Sequence, residues 1–255
     1  MNEDEYITMY KAEDTHWWYV SLHNLILRYI PREAGTVRIL DAGCGTGGLL
    51  RLLSARGVVE GCDVSETAIR CCRERGLTSV VTADLNTMVL AQDNYDVITS
   101  IDVLYHLNIS DEDAVLKKLH AALRPGGVLI FQVPAYEWLR SDHDHAVHTR
   151  RRYAKSEVVS LLRASGFVID RATYRVGLLL LPIAMIRLSQ RIFRRKDSAT
   201  QPVSDIKEYS LWVNGLLRVV MNAENLLLKW ASLPAGASVF AVARKQVAHG
   251  TATIS

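Results

Sequence analysis

The chain has 255 residues, and 49% of them are apolar, which suits one large α/β domain with a sizeable buried core. A net charge of +3 is too weak to indicate a nucleic-acid partner. The four cysteines form no C-x-x-C pair and the acidic N-terminus has no apolar signal segment, so these features indicate reduced thiols and a cytoplasmic rather than a secreted protein.

The apolar runs predict helices and strands that alternate along the chain. A first helix is predicted over residues 14–30. Five strands follow, at 37–40, 58–62, 79–82, 95–101 and 128–133. Helices at 49–56, 66–75 and 111–123 lie between strands, and Ser65 is the predicted N-cap of the second of them. This alternation indicates βαβ units and a parallel sheet.

The rest of the chain departs from this alternation. A helix at 156–165 and a strand at 167–172 precede an apolar run at 176–186, which a basic segment follows up to Lys196. The remaining segments are a polar linker over 197–205, a long amphipathic helix over 206–231 and a last strand over 238–243. We divide the chain into an N-terminal cap (1–35), a core (36–173), a helical insertion or lid (174–237), a last core strand (238–245) and a tail (246–255).

Polar residues follow the predicted strands where each strand ends. Asp41, Asp63 and Asp84 each end or follow a strand, and the run GCGTGG begins at Gly43. In open parallel sheets, ligands bind outside the carboxyl ends of the strands. The glycines fit the dinucleotide spacing G-x-G-x-x-G, but Asp41 would repel a pyrophosphate and suits a cationic ligand instead. S-adenosylmethionine, with its sulfonium and ammonium groups, meets that requirement.

Five stretches carry a resemblance to a known family: ILDAGCGTG, VEGCDVS, TADL, YDVITSIDVLYHL and LRPGGVLIFQVP. Through them, residues 37–133 resemble the class I S-adenosylmethionine-dependent methyltransferases. Features near both termini and after the fifth strand resemble a bacterial subgroup often found with glycan and natural-product pathways. The resemblance implies a Rossmann-like, seven-stranded, mostly parallel sheet with an antiparallel last strand, a helical N-terminal cap and a helical insertion before the last strand. It also implies S-adenosylmethionine as cofactor and S-adenosylhomocysteine as product.

The predicted cofactor contacts follow the parts of that molecule. Asp63 is expected to accept hydrogen bonds from the ribose hydroxyls, and Asp84 to accept one from the adenine amine. The backbone N–H of Leu85 is expected to donate to a nitrogen of the adenine ring. Asp41 and the glycine loop are expected to hold the methionine part, since glycine lets the backbone approach closely. The full predicted set is Asp41, Gly43, Cys44, Gly45, Gly47, Asp63, Val64, Asp84, Leu85, Ser100, Ile101 and Tyr105.

Methyl transfer requires a base only where the acceptor must lose a proton. Histidine titrates near neutrality, so the predicted catalytic residues are His106, His143 and His148. The predicted substrate residues are Trp18, Tyr136, Arg151 and Tyr153. No metal site is predicted, because the H-D-H-x-x-H histidines lack the spacing of known zinc sites.

The apolar run at 176–186 and the basic segment up to 196 allow three interpretations. Eleven apolar residues are too few to span a membrane. They can form a lid over an apolar acceptor pocket, the surface of a homodimer, or an interfacial helix on an anionic membrane.

Together these features favour a biosynthetic enzyme that methylates an oxygen or nitrogen atom. The acceptor is expected to be a small or medium natural product, a peptide, or a glycan or lipid-linked intermediate. Two alternatives remain: a nicotinamide-dependent oxidoreductase that uses the G-x-G-x-x-G spacing, and a non-catalytic scaffold of a biosynthetic complex.

Overall fold

The computed structural model describes residues 2–31, 37–193 and 209–247. The predicted linker, the basic residues 194–196, the predicted start of the long helix at 206 and most of the predicted tail lie outside these residues. The chain begins with two helices, α1 (Glu3–Ala12) and α2 (Trp17–Ile26). α2 is shorter than predicted because it begins after His16, whose side chain accepts a hydrogen bond from the Trp18 N–H at 3.3 Å. α1 was not predicted, since its first turn is acidic and its apolar residues are few.

The strands are β1 (Arg38–Ala42), β2 (Val58–Asp63), β3 (Val80–Thr82), β4 (Tyr95–Ile101), β5 (Leu123–Pro134), β6 (Phe167–Arg175) and β7 (Ser238–Lys245). They form one sheet in the order β3-β2-β1-β4-β5-β7-β6. β1 to β5 pair in parallel, whereas β7 runs antiparallel to both of its neighbours. The predicted seven-stranded, mostly parallel sheet with an antiparallel last strand is confirmed.

Helices α3 (Gly48–Leu53), α4 (Glu66–Glu74) and α5 (Glu112–Ala122) connect the parallel strands. The Ser65 hydroxyl caps α4 as predicted, because it accepts a hydrogen bond from the Ala68 N–H at 3.3 Å. A short 3₁₀ turn (Glu137–Leu139) and two helices, α6 (Asp142–Ala146) and α7 (Lys155–Ala164), lie between β5 and β6.

Helices cover both faces of the sheet, so its central strands are apolar on both sides. In β1, Leu40 belongs to the core cluster on one face and Ile39 to the cluster on the other. The same alternation places Ile98 and Val97 of β4 in opposite clusters. This two-sided burial explains why these strands read as continuous apolar runs in the sequence.

Two further helices, α8 (Leu180–Phe193) and α9 (Leu211–Leu227), lie between β6 and β7 in the chain. α9 packs against α2, and its buried Glu224 accepts hydrogen bonds from the N–H groups of Val176 at 2.6 Å and Leu178 at 3.0 Å. The insertion is thereby joined to the end of β6 and to the N-terminal helices. Within the described part of the chain, no helix is long and apolar enough to cross a membrane.

Candidate active site

A cavity of about 410 Å³ lies at the carboxyl ends of β1, β2 and β4. The loop from Gly43 to Gly47 forms part of this edge between β1 and α3. Gly43 has a φ of +90°, and a Cβ there would lie 2.2 Å from Cγ2 of Val103. Glycine is therefore required at this position by both backbone conformation and space. Met9 of α1, Trp18 of α2 and Ile186 of α8 close the cavity from outside the sheet.

Asp41 lies on the cavity wall at the end of β1 and is 2% exposed. Its Oδ1 accepts a hydrogen bond from the Thr99 hydroxyl at 2.7 Å. Burial raises the pKa of Asp41 to about 7. A cationic ligand beside this carboxylate would favour its ionised form, so the site suits a positive charge.

Asp63 lies at the end of β2 and accepts hydrogen bonds through both of its oxygens. Oδ2 accepts from the Gly45 N–H at 3.0 Å, and Oδ1 accepts from the Ser65 N–H at 3.0 Å and the Tyr6 hydroxyl at 3.3 Å. Burial raises the pKa of Asp63 as well. These contacts fix the carboxylate against the glycine loop, and they place Tyr6 of α1, which the sequence analysis did not single out, at the predicted ribose site.

Asp84 and Leu85 follow β3 and line the same cavity, together with Val64. Oδ1 of Asp84 accepts hydrogen bonds from the N–H of Asn86 at 2.8 Å and from its side-chain amide at 2.6 Å. The Asn86 side chain thus orients the carboxylate predicted to meet the adenine amine.

The structure brings most of the predicted cofactor-binding residues to this one cavity. Those that line it are Asp41, Gly43, Cys44, Gly45, Asp63, Val64, Asp84, Leu85, Ile101 and Tyr105. Gly47 and Ser100 lie outside the wall. Gly47 has a φ of +83° and caps α3, where a Cβ would lie 2.8 Å from both Sγ of Cys72 and Cδ1 of Leu77. Ser100 is fully buried within β4.

The other half of the cavity is aromatic and apolar. Trp17 and Trp18 both line it, with their rings 5.7 Å apart and nearly perpendicular. Only Trp18 was predicted to lie at the pocket, whereas both residues line it. Ile183 and Ile186 of α8 complete this wall. The apolar half therefore suits an acceptor with an apolar part.

His106 and His143 line the cavity. Nδ1 of His106 lies 2.6 Å from the Val147 carbonyl oxygen, which can only accept, so this nitrogen carries the proton. Nε2 of the neutral ring is then left with its lone pair. Burial lowers the pKa of His106 to about 4, so the imidazole is neutral at pH 7. His148 lies outside the cavity wall, where its Nε2 is 3.0 Å from Oδ1 of Asn2.

The acidic residue of the H-D-H-x-x-H segment has a structural partner. Asp144 forms a buried ion pair with Arg152, with Nε–Oδ1 and Nη2–Oδ2 distances of 2.8 and 3.0 Å. Arg152 also donates to the Ala135 carbonyl at 3.1 Å. This pair attaches α6 to the chain that follows β5 and thereby holds His143 at the cavity.

Three of the four predicted substrate residues lie away from the cavity wall. The Tyr153 hydroxyl is buried and donates to Oε1 of Glu112 at 2.7 Å, and Arg151 donates to the same carboxylate at 2.8 Å. Tyr136 stacks on Tyr174 with a ring separation of 5.0 Å. The buried Glu112 explains the displacement, because it draws both residues toward α5. Only Trp18 faces the cavity as predicted.

Besides Tyr6, the cavity residues Asp102 and Glu13 were not predicted from the sequence. Asp102 follows β4, has a φ of +54° and accepts a hydrogen bond from the Gln132 side chain at 2.8 Å. Its position after a strand was a usable signal, the same one that identified Asp41 and Asp63. Glu13 lies outside the sheet, so that signal could not find it.

Glu13 attaches the N-terminal segment to the glycine loop. Its Oε2 accepts hydrogen bonds from the Thr46 hydroxyl at 2.5 Å and the Gly48 N–H at 3.0 Å, and it pairs with Arg75 at 3.2 Å. Burial raises its pKa to about 7. Since Gly48 begins α3, this carboxylate occupies the N-terminus of that helix.

Known proteins resemble this chain in sequence and in fold. Residues 39–127 match the family described as a methyltransferase domain. The ubiquinone biosynthesis O-methyltransferase of Bordetella bronchiseptica is 29% identical over 143 residues, which cover 49% of this chain and 58% of that relative. The chain thus spans little more than half the length of this relative.

Solved structures share the fold at low sequence identity. An S-adenosylmethionine-dependent methyltransferase from Mesorhizobium loti superposes with a TM-score of 0.57 at 19% identity, covering 91% of this chain and 99% of that one. The [4+2]-cyclase SpnF superposes with a TM-score of 0.56 at 21% identity, covering 89% of this chain and 80% of that one. The presence of a cyclase among these structures shows that the fold does not specify the reaction.

Proposed function

We propose that this chain, which belongs to the class I S-adenosylmethionine-dependent methyltransferases, transfers a methyl group to a hydroxyl oxygen or an amine nitrogen of an acceptor with an apolar part. The observation that carries the proposal is a single cavity with two unlike halves. One part of its wall has carboxylates at three strand ends, of which Asp41 is buried and Asp63 and Asp84 are half-buried, and another part contains two tryptophans and two isoleucines.

The polar half fits the parts of the cofactor. Asp41 would hold the methionine part, Asp63 the ribose and Asp84 the adenine amine, in the order of the strands that carry them. S-adenosylmethionine supplies a methyl group on a positively charged sulfur, so that the protein's main contribution is proximity and alignment. The buried Asp41 suits this charge, whereas it would repel a pyrophosphate. The nicotinamide alternative therefore has no support from the site or from the family.

The apolar half supports an acceptor larger than the reacting group alone. The relative from Bordetella bronchiseptica is named as an O-methyltransferase of ubiquinone biosynthesis, which favours an oxygen acceptor here. A hydroxyl must lose its proton during transfer. Nε2 of His106 is the group we assign to accept it, because the Val147 carbonyl fixes the proton of the ring on Nδ1.

Calorimetric titration with S-adenosylhomocysteine and with NADH tests the cofactor assignment. Binding of the first and not of the second is expected, and the reverse result refutes the proposal. Acceptor screening then uses S-adenosylmethionine with phenols and amines that carry apolar tails, and mass spectrometry detects the methylated product. Cofactor binding without turnover on any acceptor would support the scaffold alternative.

The base assignment is tested with His106→Asn. We expect kcat for a hydroxyl acceptor to fall by about 10²-fold or more, with S-adenosylhomocysteine affinity unchanged. His120→Asn is the matched control, since His120 packs against Phe167 with a ring separation of 4.9 Å and does not line the cavity. An unchanged kcat in the His106 variant would remove this residue from the mechanism.

A further inference from the structure

Helix α9 presents an apolar stripe to the outside of the molecule. Its members recur at intervals of four and three residues, which keeps them on one face of a helix. They are Trp212, Leu216, Val219, Ala223, Leu226 and, in the turn directly after the helix, Trp230. All are exposed, and the tryptophans at the two ends are exposed by 90% and 76%.

This stripe is not part of the protein core. The opposite face of α9 is the buried one, where Met221, Glu224 and Asn225 face inward and the helix packs against α2. The Asn225 side chain donates to the Ser21 carbonyl of α2 at 2.7 Å. The orientation of α9 is therefore set by buried polar contacts, and the stripe is left outside.

Helix α8 extends the exposed apolar surface. Leu181, Met185 and Leu188 are exposed and follow the same spacing. Ile183 of α8 and Leu217 of α9 both pack against one buried cluster, which includes Val176 and Met221. The exposed surface thus comprises two amphipathic helices that share this buried cluster, and we call it the α8–α9 surface.

The charges of this surface have one sign. Across residues 176–189 and 209–235 of the insertion, whose side chains the structure describes, the only carboxylate is Glu224, which is fully buried. The cations of the same residues are Arg187, Arg218 and Lys229, and Arg218 and Lys229 are exposed. Among these described residues, the surface therefore offers positive charge beside apolar side chains and no exposed carboxylate.

We propose that the α8–α9 surface docks on an anionic lipid bilayer and lies in its interface. Tryptophan at both ends of an apolar stripe, with cations beside it, matches the chemistry of the headgroup region. Anionic lipids attract such basic residues to the bilayer surface. A second copy of the chain fits less well, because paired amphipathic helices carry complementary charges beside their seam and the described residues of this surface include no exposed carboxylate.

The position of the surface links docking to the proposed function. Ile186 of α8 lines the cavity and is also 56% exposed. A bilayer against the α8–α9 surface would thus lie beside the apolar half of the cavity, and an acceptor with a lipid tail could enter from it. This step rests on the proposed function, whereas docking itself does not.

The test is co-sedimentation of the full chain with vesicles of phosphatidylcholine alone and of phosphatidylcholine with an equal amount of phosphatidylglycerol. We expect binding to the anionic vesicles, weakened by salt. Trp212→Ser with Trp230→Ser should lower the partition coefficient at least about tenfold. Both side chains are exposed, so the fold should persist, and circular dichroism checks it. Val89→Ser, at a 91% exposed site outside the surface, is the apolar control and should bind like the wild type.

A second pair of variants separates lipid docking from general electrostatic attraction. Arg218→Glu with Lys229→Glu should weaken binding about tenfold or more. Arg73→Glu with Arg163→Glu, at exposed sites on α4 and α7, makes the same change in net charge and should change binding less than about twofold. Equal sedimentation with both vesicle types, or unchanged binding of the tryptophan variant, overturns the proposal. A wild-type dimer that the tryptophan substitutions convert to a monomer, without vesicle binding, assigns the surface to a second copy instead. None of these measurements uses methyl transfer, so they stand apart from tests of the proposed function.

Discussion

Gly47 offers a quantitative test of the difference between a ligand-binding glycine and a packing glycine. Its place in the glycine loop predicts a contact with the cofactor, but in the structure it lies behind the loop, at the start of α3. Substitution by alanine would meet two obstacles. Its φ of +83° is strained for any residue with a Cβ, at about 1–2 kcal/mol. The new Cβ would also lie 2.8 Å from Sγ of Cys72 and from Cδ1 of Leu77, which adds an overpacking cost of about 1–3 kcal/mol.

Gly76 is the matched control within the same chain. Its φ is +82°, but a Cβ there has no other described atom within 4 Å. Gly76→Ala should therefore show the conformational cost alone, about 1–2 kcal/mol, and Gly47→Ala a total of about 2–5 kcal/mol. Urea denaturation of both variants measures the difference. Equal losses would refute the packing argument, and a large fall in S-adenosylhomocysteine affinity of folded Gly47→Ala would return this residue to the cofactor site.

Three further predictions concern carboxylates and one hydroxyl. Asp63→Ala should weaken S-adenosylhomocysteine binding by about 1–3 kcal/mol in a calorimetric titration, and the same substitution at Asp170, outside the cavity, should leave it unchanged. Tyr153→Phe should lower the free energy of unfolding by about 1–2 kcal/mol, because a buried Glu112 oxygen loses this hydrogen-bond donor. The KM for the acceptor should stay the same, and a raised KM would restore the role of Tyr153 in substrate binding. Burial raises the pKa of Glu13 from 4.5 to about 7, so the folded protein holds this proton more tightly than the unfolded chain does. The protonated carboxyl therefore adds to the free energy of unfolding below the unfolded pKa, and this contribution is lost as the pH rises to about 7. Relative to Glu13→Gln, the wild type should therefore lose up to about 3 kcal/mol of stability across that range, and parallel pH profiles in urea denaturation would contradict this reasoning.

One physical reason explains why the sheet and the polar half of the cavity could be predicted from the sequence. Parallel strands buried on both faces appear as continuous apolar runs, and their carboxyl ends share one edge of the sheet. Asp41, Asp63 and Asp84 could thus be assigned to one cavity without coordinates. The same reasoning, applied to the residue after β4, would have included Asp102.

Only the tertiary structure could decide the remaining contacts, because they join residues distant in the sequence. Glu13 reaches the start of α3 through the packing of the N-terminal segment, and no local pattern marks it. Tyr153 was predicted to contact the substrate, but its hydroxyl donates a hydrogen bond to the buried Glu112 of α5.

The insertion illustrates the same division. Its sequence predicts helices because apolar residues recur at helical spacing. In α9 these residues lie on more than one face of the helix. Which face is buried depends on what α9 packs against. Three of its residues decide this: Met221 is buried, Glu224 accepts a hydrogen bond from Val176 just after β6, and Asn225 donates one to α2. Sequence periodicity determines that a helix forms, and tertiary packing determines which of its apolar faces remains exposed for another surface.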